Sequence, residues 1–170
     1  MSTMIICVMG VAGAGKTTIG QLLAAELHYE FLDADSLHPA ANIQKMAHGI
    51  PLNDADRAPW LEATHAYLVH AFHRRENLVI ACSALKQRYR DTLAYGIPLV
   101  WVYLKGSEEV IRARLQSRQH HFMKPQMLAS QFADLEEPTN AITIDVAVEP
   151  LAAVRQILTA IDAATAKATP

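Results

Sequence analysis

Gly10 to Thr17 reads Gly-Val-Ala-Gly-Ala-Gly-Lys-Thr and fits G-x-x-x-x-G-K-[ST] in full. No other feature constrains the chain as strongly. Glycines let successive backbone N–H groups turn around a phosphate with no Cβ in the way. A helix starting just after them aims its N-terminal dipole at the same anion. The flanks supply that context. Ile5 to Met9 is a short apolar run stopped by Gly10, as in a strand buried on both faces. Thr17 to Leu27 places Ile19, Leu22, Leu23 and Leu27 at helical spacing. Lys16 is expected on the β- and γ-phosphates, and the Thr17 hydroxyl on Mg²⁺. Gly10, Ala12, Gly13, Ala14, Gly15, Lys16, Thr17 and Thr18 form the candidate ATP-binding set.

The rest of the chain repeats strand then helix. Further strands are expected at Tyr29–Leu32, Leu78–Cys82, Leu99–Leu104 and Ala141–Asp145. Helices are expected at Ser83–Ala94, Glu108–Ser117, Met127–Leu135 and Pro150 to about Ala164, before a frayed tail. Alternation of this kind implies βαβ units and a parallel sheet. The 170 residues fit one domain, 1–170, with polar excursions at about 36–75 and 119–126.

Composition narrows the partners. The net charge of −2 gives no electrostatic case for nucleic acid or an anionic membrane. Basic residues cluster only between Arg112 and Lys124, which suits a small anion. No window reaches the roughly 18 apolar residues of a membrane span, so a cytoplasmic location is expected. The two cysteines, Cys7 and Cys82, lie in apolar runs and read as buried thiols. The eight histidines include no H-E-x-x-H, and zinc is not expected at His120 and His121.

Neither N-K-x-D nor D-x-x-G occurs, which removes the GTPase switches, and a large motor ATPase needs more chain. A compact kinase of nucleotides or small metabolites remains. Asp33 and Asp35 follow the second strand, and alternation along a strand end would put both carboxylates in the crevice at the C-terminal edge of the sheet. Asp33 is assigned to Mg²⁺ through water, and Asp35 to substrate and general base. The competing reading makes them turn and cap residues. Arg114 and Arg118 lie four apart on a helix before the polar loop, placed to stack on adenine and neutralise phosphates, or else to form a solvated basic helix end. No acidic residue follows the third strand at Cys82-Ser83, so metal binding falls to Thr17 and Asp33.

Several further motifs occur in order. They are Phe31-Leu-Asp-Ala-Asp-Ser-Leu-His-Pro39, Pro51-Leu-Asn-Asp-Ala-Asp-Arg-Ala-Pro-Trp60, Cys82-Ser-Ala-Leu-Lys86, Tyr89-Arg-Asp91, Tyr103-Leu-Lys-Gly106 and His121-Phe-Met-Lys-Pro-Gln-Met-Leu128, then Gln131-Phe. With the phosphate loop, this series resembles the bacterial thermoresistant gluconokinase family from about residue 5 to 150. The resemblance implies a three-layer α/β P-loop NTPase fold, like adenylate kinase and shikimate kinase, with a five-stranded parallel sheet. It implies ATP-dependent phosphorylation of D-gluconate to 6-phosphogluconate with Mg²⁺, often by a homodimer. Asp35 then matches the acceptor-binding carboxylate, and Arg57 an arginine holding the gluconate carboxylate, a planar anion suited to its fork. His38, Lys86 and Arg90 fall among acceptor contacts. Arg114 matches the adenine-stacking arginine, and Arg118 a lid arginine on phosphate. Lys16, Asp35 and Arg118 form the catalytic set. Asn53, Asp54 and Trp60 read mainly as shape, and Met46, Met123 and Met127 as packing. The rivals are a kinase for another small acid, such as shikimate, or for a nucleotide, and a nucleotide-binding regulatory subunit without turnover. Asp33, Asp35 and the paired arginines argue against the last.

Overall fold

In the computed structural model, residues 2–118 and 124–168 are described. Of the lid expected at 119–126, residues 119–123 therefore lie outside the described part, with His120, His121 and Met123 among them.

The chain runs β1 (Ile5–Met9), α1 (Lys16–Leu27), β2 (Glu30–Asp33), a 3₁₀ turn (Ala34–Leu37), α2 (Ala40–Ala47) and α3 (Asp54–His73). It continues β3 (Leu78–Ala81), α4 (Gln87–Leu93), β4 (Val100–Lys105), α5 (Glu108–Ser117), α6 (Pro125–Asp134), β5 (Ile142–Asp145) and α7 (Pro150–Ala168). The strands form one parallel five-stranded sheet in the order β2-β3-β1-β4-β5. β1 is central and buried at every position. Its apolar run is needed because helices cover both faces.

Alternation along β1 divides the core in two. Ile6 and Val8 face a cluster with Leu23 of α1, Ile111 of α5, Leu128 of α6 and Ile157 of α7. Ile5, Cys7 and Met9 face the other layer, with Trp60 and Leu68 of α3 and Tyr89 and Leu93 of α4. Each fully buried Leu or Ile contributes about 1.5–3 kcal/mol by leaving water. Cys7 and Cys82 are both free thiols in the second cluster, as their apolar surroundings imply. Burial, then hydrogen bonding with Cys82, pushes the Cys7 thiol well up. Among the described residues no helix is long and apolar enough to cross a membrane.

Most boundaries differ from the sequence expectation by one or two residues, and those of α4 and α7 by more. The helix expected from Ser83 starts only at Gln87, because Ala84 takes a left-handed φ of 44° and breaks the path. The region 36–75 holds the 3₁₀ turn and two helices, and the second starts where Asn53 accepts from the Asp56 N–H at 2.8 Å. Asp56 reciprocates by accepting from the Asn53 N–H at 3.0 Å, closing a capping box. The last helix runs to Ala168, through residues expected to fray.

Candidate functional site

The phosphate loop bends at the C-terminal end of β1 and enters α1 through Gly15, whose φ of 97° is a left-handed value that suits glycine. Lys16, the first residue of α1, folds back so that its ammonium donates to the Val11 carbonyl at 2.9 Å. Burial lowers its pKa, and the nearby Asp35 and Asp33 carboxylates oppose that. The loop forms one wall of a cavity of about 720 Å³, lined also by Asp33, Asp35, His38, Arg57 and Arg118.

Asp33 ends β2 and serves two neighbours. Its Oδ1 accepts from the Asp35 N–H at 3.0 Å, and its Oδ2 from the Thr17 hydroxyl at 3.1 Å. A hydroxyl and a carboxylate side by side at the start of α1 fit Mg²⁺, an ion that keeps several waters and takes few protein oxygens beside the phosphates of its nucleotide. Among the described residues no three His, Cys, Asp or Glu gather as a metal cage. Asp33 and Asp35 both reach the cavity, but strand alternation is not the reason. Asp35 lies beyond the strand, in the 3₁₀ turn that Asp33 caps, and its side chain is 71% exposed. Asp33 is thus the cap of the turn and also part of the cavity wall.

His38 closes this corner. Its Nδ1 lies 3.2 Å from the Asn42 side-chain amide nitrogen, which can only donate. Nδ1 is then the acceptor, and the proton sits on Nε2, 3.8 Å from Asp35 Oδ1. Burial lowers the His38 pKa; Asp35 opposes this and Arg57 adds to it. Trp60 fixes the turn from below by donating its indole N–H to the Ala34 carbonyl at 2.8 Å. The segment around Asn53 and Trp60 does act on shape. Asp54 takes part in an ion cluster with Lys86, Arg88 and Tyr89, and hydrogen bonds from Tyr89, Arg88 and Lys86 hold its carboxyl well below the usual range.

Arg57 is 7% exposed. Its Nη1 donates to Asp134 Oδ2 at 2.7 Å and to the Tyr89 hydroxyl at 3.1 Å. Burial alone would lower its pKa, but those two partners raise it, so the cation persists. Lys86 and Arg90 are not brought into the cavity lining. Lys86 Nζ instead donates to Asp54 Oδ1 at 3.0 Å. Arg90 is 2% exposed and donates to the carbonyls of Ala84, Leu85 and Glu136 at 2.7, 3.0 and 2.8 Å. Those carbonyls belong to the irregular stretch after β3 and the end of α6, which need donors that no helix or strand provides. Arg90 thus braces the backbone where the sequence suggested an acceptor contact.

Arg118 ends α5 as its C-cap residue, is exposed, and borders the large cavity. It also borders a smaller one of about 90 Å³, with Arg114, Thr18, Val146 and Pro150, on the other flank of the phosphate loop. Arg114 reaches across that space to donate to the Val146 carbonyl. The sequence reading missed Gln131 as a site residue, and missed Met46 and Met127 as cavity wall. Gln131 Oε1 accepts from the Ala12 N–H at 2.6 Å, from 119 residues away, a contact with no local signature.

The shikimate kinase family profile matches residues 12–161. The thermoresistant gluconokinase of Escherichia coli K12 is 46% identical over 147 residues, covering 84% of both chains. The thermosensitive gluconokinase of the same strain is 50% identical over 131 residues, 76% of this chain and 70% of its own. A crystal structure of a gluconokinase from Sinorhizobium meliloti 1021 superposes with a TM-score of 0.84 at 42% identity, covering 92% of this chain and 90% of that one.

Proposed function

Because the chain belongs to the shikimate kinase family, and within it to the gluconokinases, it phosphorylates gluconate with ATP, and we propose how its residues divide that work. The observation that carries the proposal is one cavity lined at once by Lys16 and the phosphate loop, by Asp35 and by Arg57. Phosphoryl transfer needs positioning and charge stabilisation more than covalent help from the protein. Arg57, cationic and half-spent on Asp134, retains donors for the gluconate carboxylate. That grip directs the far, terminal hydroxyl toward Asp35, and the product is 6-phosphogluconate.

Asp35 accepts the proton of this hydroxyl as its oxygen bonds to the γ-phosphorus. The bond from that phosphorus to the β,γ-bridging oxygen breaks, and ADP leaves with the electron pair. Lys16 and Arg118 spread the negative charge of the transferring group. His38, with its proton on Nε2, faces Asp35 and binds a substrate hydroxyl. Mg²⁺, when bound with the nucleotide at Thr17 and Asp33, neutralises phosphate charge. Arg114 and Arg118 flank the smaller cavity, which takes the adenosine end. The resemblance supports a cytoplasmic homodimer, and sedimentation tests the dimer.

Coupled ADP release with MgATP across gluconate, other aldonic acids, shikimate and AMP tests the assignment. Strong turnover with gluconate alone is expected. Turnover with a different acceptor in place of gluconate would overturn the gluconate assignment, and none with any acceptor would overturn transfer itself.

A further inference from the structure

Through one face, helix α6 reaches both the phosphate loop and Arg57, which line the cavity. Gln131 and Asp134 are three residues apart, so they project side by side. Gln131 holds the Ala12 N–H of the phosphate loop at 2.6 Å, and Asp134 holds Arg57 of α3 at 2.7 Å. Both ends of the helix are tethered as well. Lys124, its N-cap, donates to the His48 carbonyl beyond α2 at 3.0 Å. Just past the C-cap, the Glu136 N–H donates to the Leu85 carbonyl at 2.8 Å. A rigid element held at two functional groups cannot shift at one without straining the other.

We propose that Gln131 and Asp134 are positioning residues through which α6 couples the two subsites, so that seating gluconate on Arg57 raises the affinity for ATP, and the reverse. Neither residue touches the reacting atoms. Asp134 keeps the buried Arg57 fork aimed into the cavity, since an arginine without its carboxylate would turn to other acceptors. Gln131 fixes the height of the phosphate loop relative to that fork. Coupling of this kind is reciprocal, and its usual size is about 5–150-fold in affinity. The inference rests on Arg57 as the acceptor-binding arginine.

The test measures the dissociation constant of a non-hydrolysable ATP analogue with and without saturating gluconate. Wild type should bind the analogue at least about fivefold more tightly with gluconate. Gln131→Met and Asp134→Asn should each bring that ratio close to one, and Asp134→Glu should restore part of it. Asp134→Asn should also raise the gluconate KM about tenfold or more, with a smaller change in kcat. A wild-type ratio of one, or a ratio unchanged in both variants, overturns the proposal. Arg57→Ala separates it from the reading beneath: unchanged gluconate affinity there removes the role of Arg57 and the coupling together. Weakened affinity there, with the ratio kept in Gln131→Met and Asp134→Asn, removes only the coupling.

Discussion

The imidazole of His38 lies on the indole of Trp60, with ring centroids 4.5 Å apart and planes 12° from parallel. Burial lowers the pKa of this histidine, because the imidazolium would lose water that its surroundings do not replace; Asp35 opposes the shift and the Arg57 cation adds to it. Its folded pKa lies below the ordinary 6.5, so the unfolded chain takes up the proton first as pH falls. The stability His38 contributes is full above about pH 6.5 and is lost as pH drops through the folded value. Denaturant midpoints should therefore fall from neutral to mildly acidic pH, and fall less in His38→Gln. Equal falls in both proteins would exclude His38 as a source.

Asp35→Asn keeps the shape of the turn and removes the base. The expected kcat is about 100-fold lower or less still, with the ATP KM within about threefold of wild type. A rise in gluconate KM with kcat intact would make Asp35 a binding group alone.

Lys16→Met removes the ammonium that now rests on the Val11 carbonyl. Transfer should drop by about 1,000-fold or more. Retention of most of the kcat would sink the role given to Lys16.

Gly49 has a φ of 69°, and a Cβ there would lie 2.3 Å from Cδ of Lys124. Gly49→Ala should cost about 1–2 kcal/mol from backbone strain and displace the lysine stem. Scanning calorimetry should show a melting point lower by about 2–8 °C. Lys124→Met, which loses only the hydrogen bond to His48, should fall less.

Arg90→Lys replaces two nitrogens by one, where Nη1 serves the carbonyls of Ala84 and Leu85 and Nη2 that of Glu136. A stability loss of about 2–3 kcal/mol is expected in urea unfolding, with the gluconate KM of the folded protein within about threefold of wild type. A large KM change at unchanged stability would restore Arg90 to the acceptor site.

Much of this was legible in the chain. The strands were, because a parallel sheet covered on both faces needs continuous apolar runs such as Leu78–Ala81. The phosphate loop was, because its chemistry is local. Arg57 is reached through the family resemblance of Pro51 to Trp60, and the sequence does not foretell its partner Asp134, 77 residues on. Gln131 and the true place of Arg90 were hidden for the same reason. Their hydrogen bonds close over long stretches of chain, and no spacing rule reports them. Lys86 and Arg90 sit in a motif near the site, yet motif position does not fix whether a side chain faces the cavity or the backbone behind it.

The strand order β2-β3-β1-β4-β5 also divides the molecule by task. The residues proposed to meet the acceptor, from Asp35 to Arg57, are spelled out between β2 and β3, whereas Arg114 and Arg118 come after β4. A change within residues 125–134 would be felt on both sides of this division, because Gln131 holds the phosphate loop and Asp134 holds Arg57.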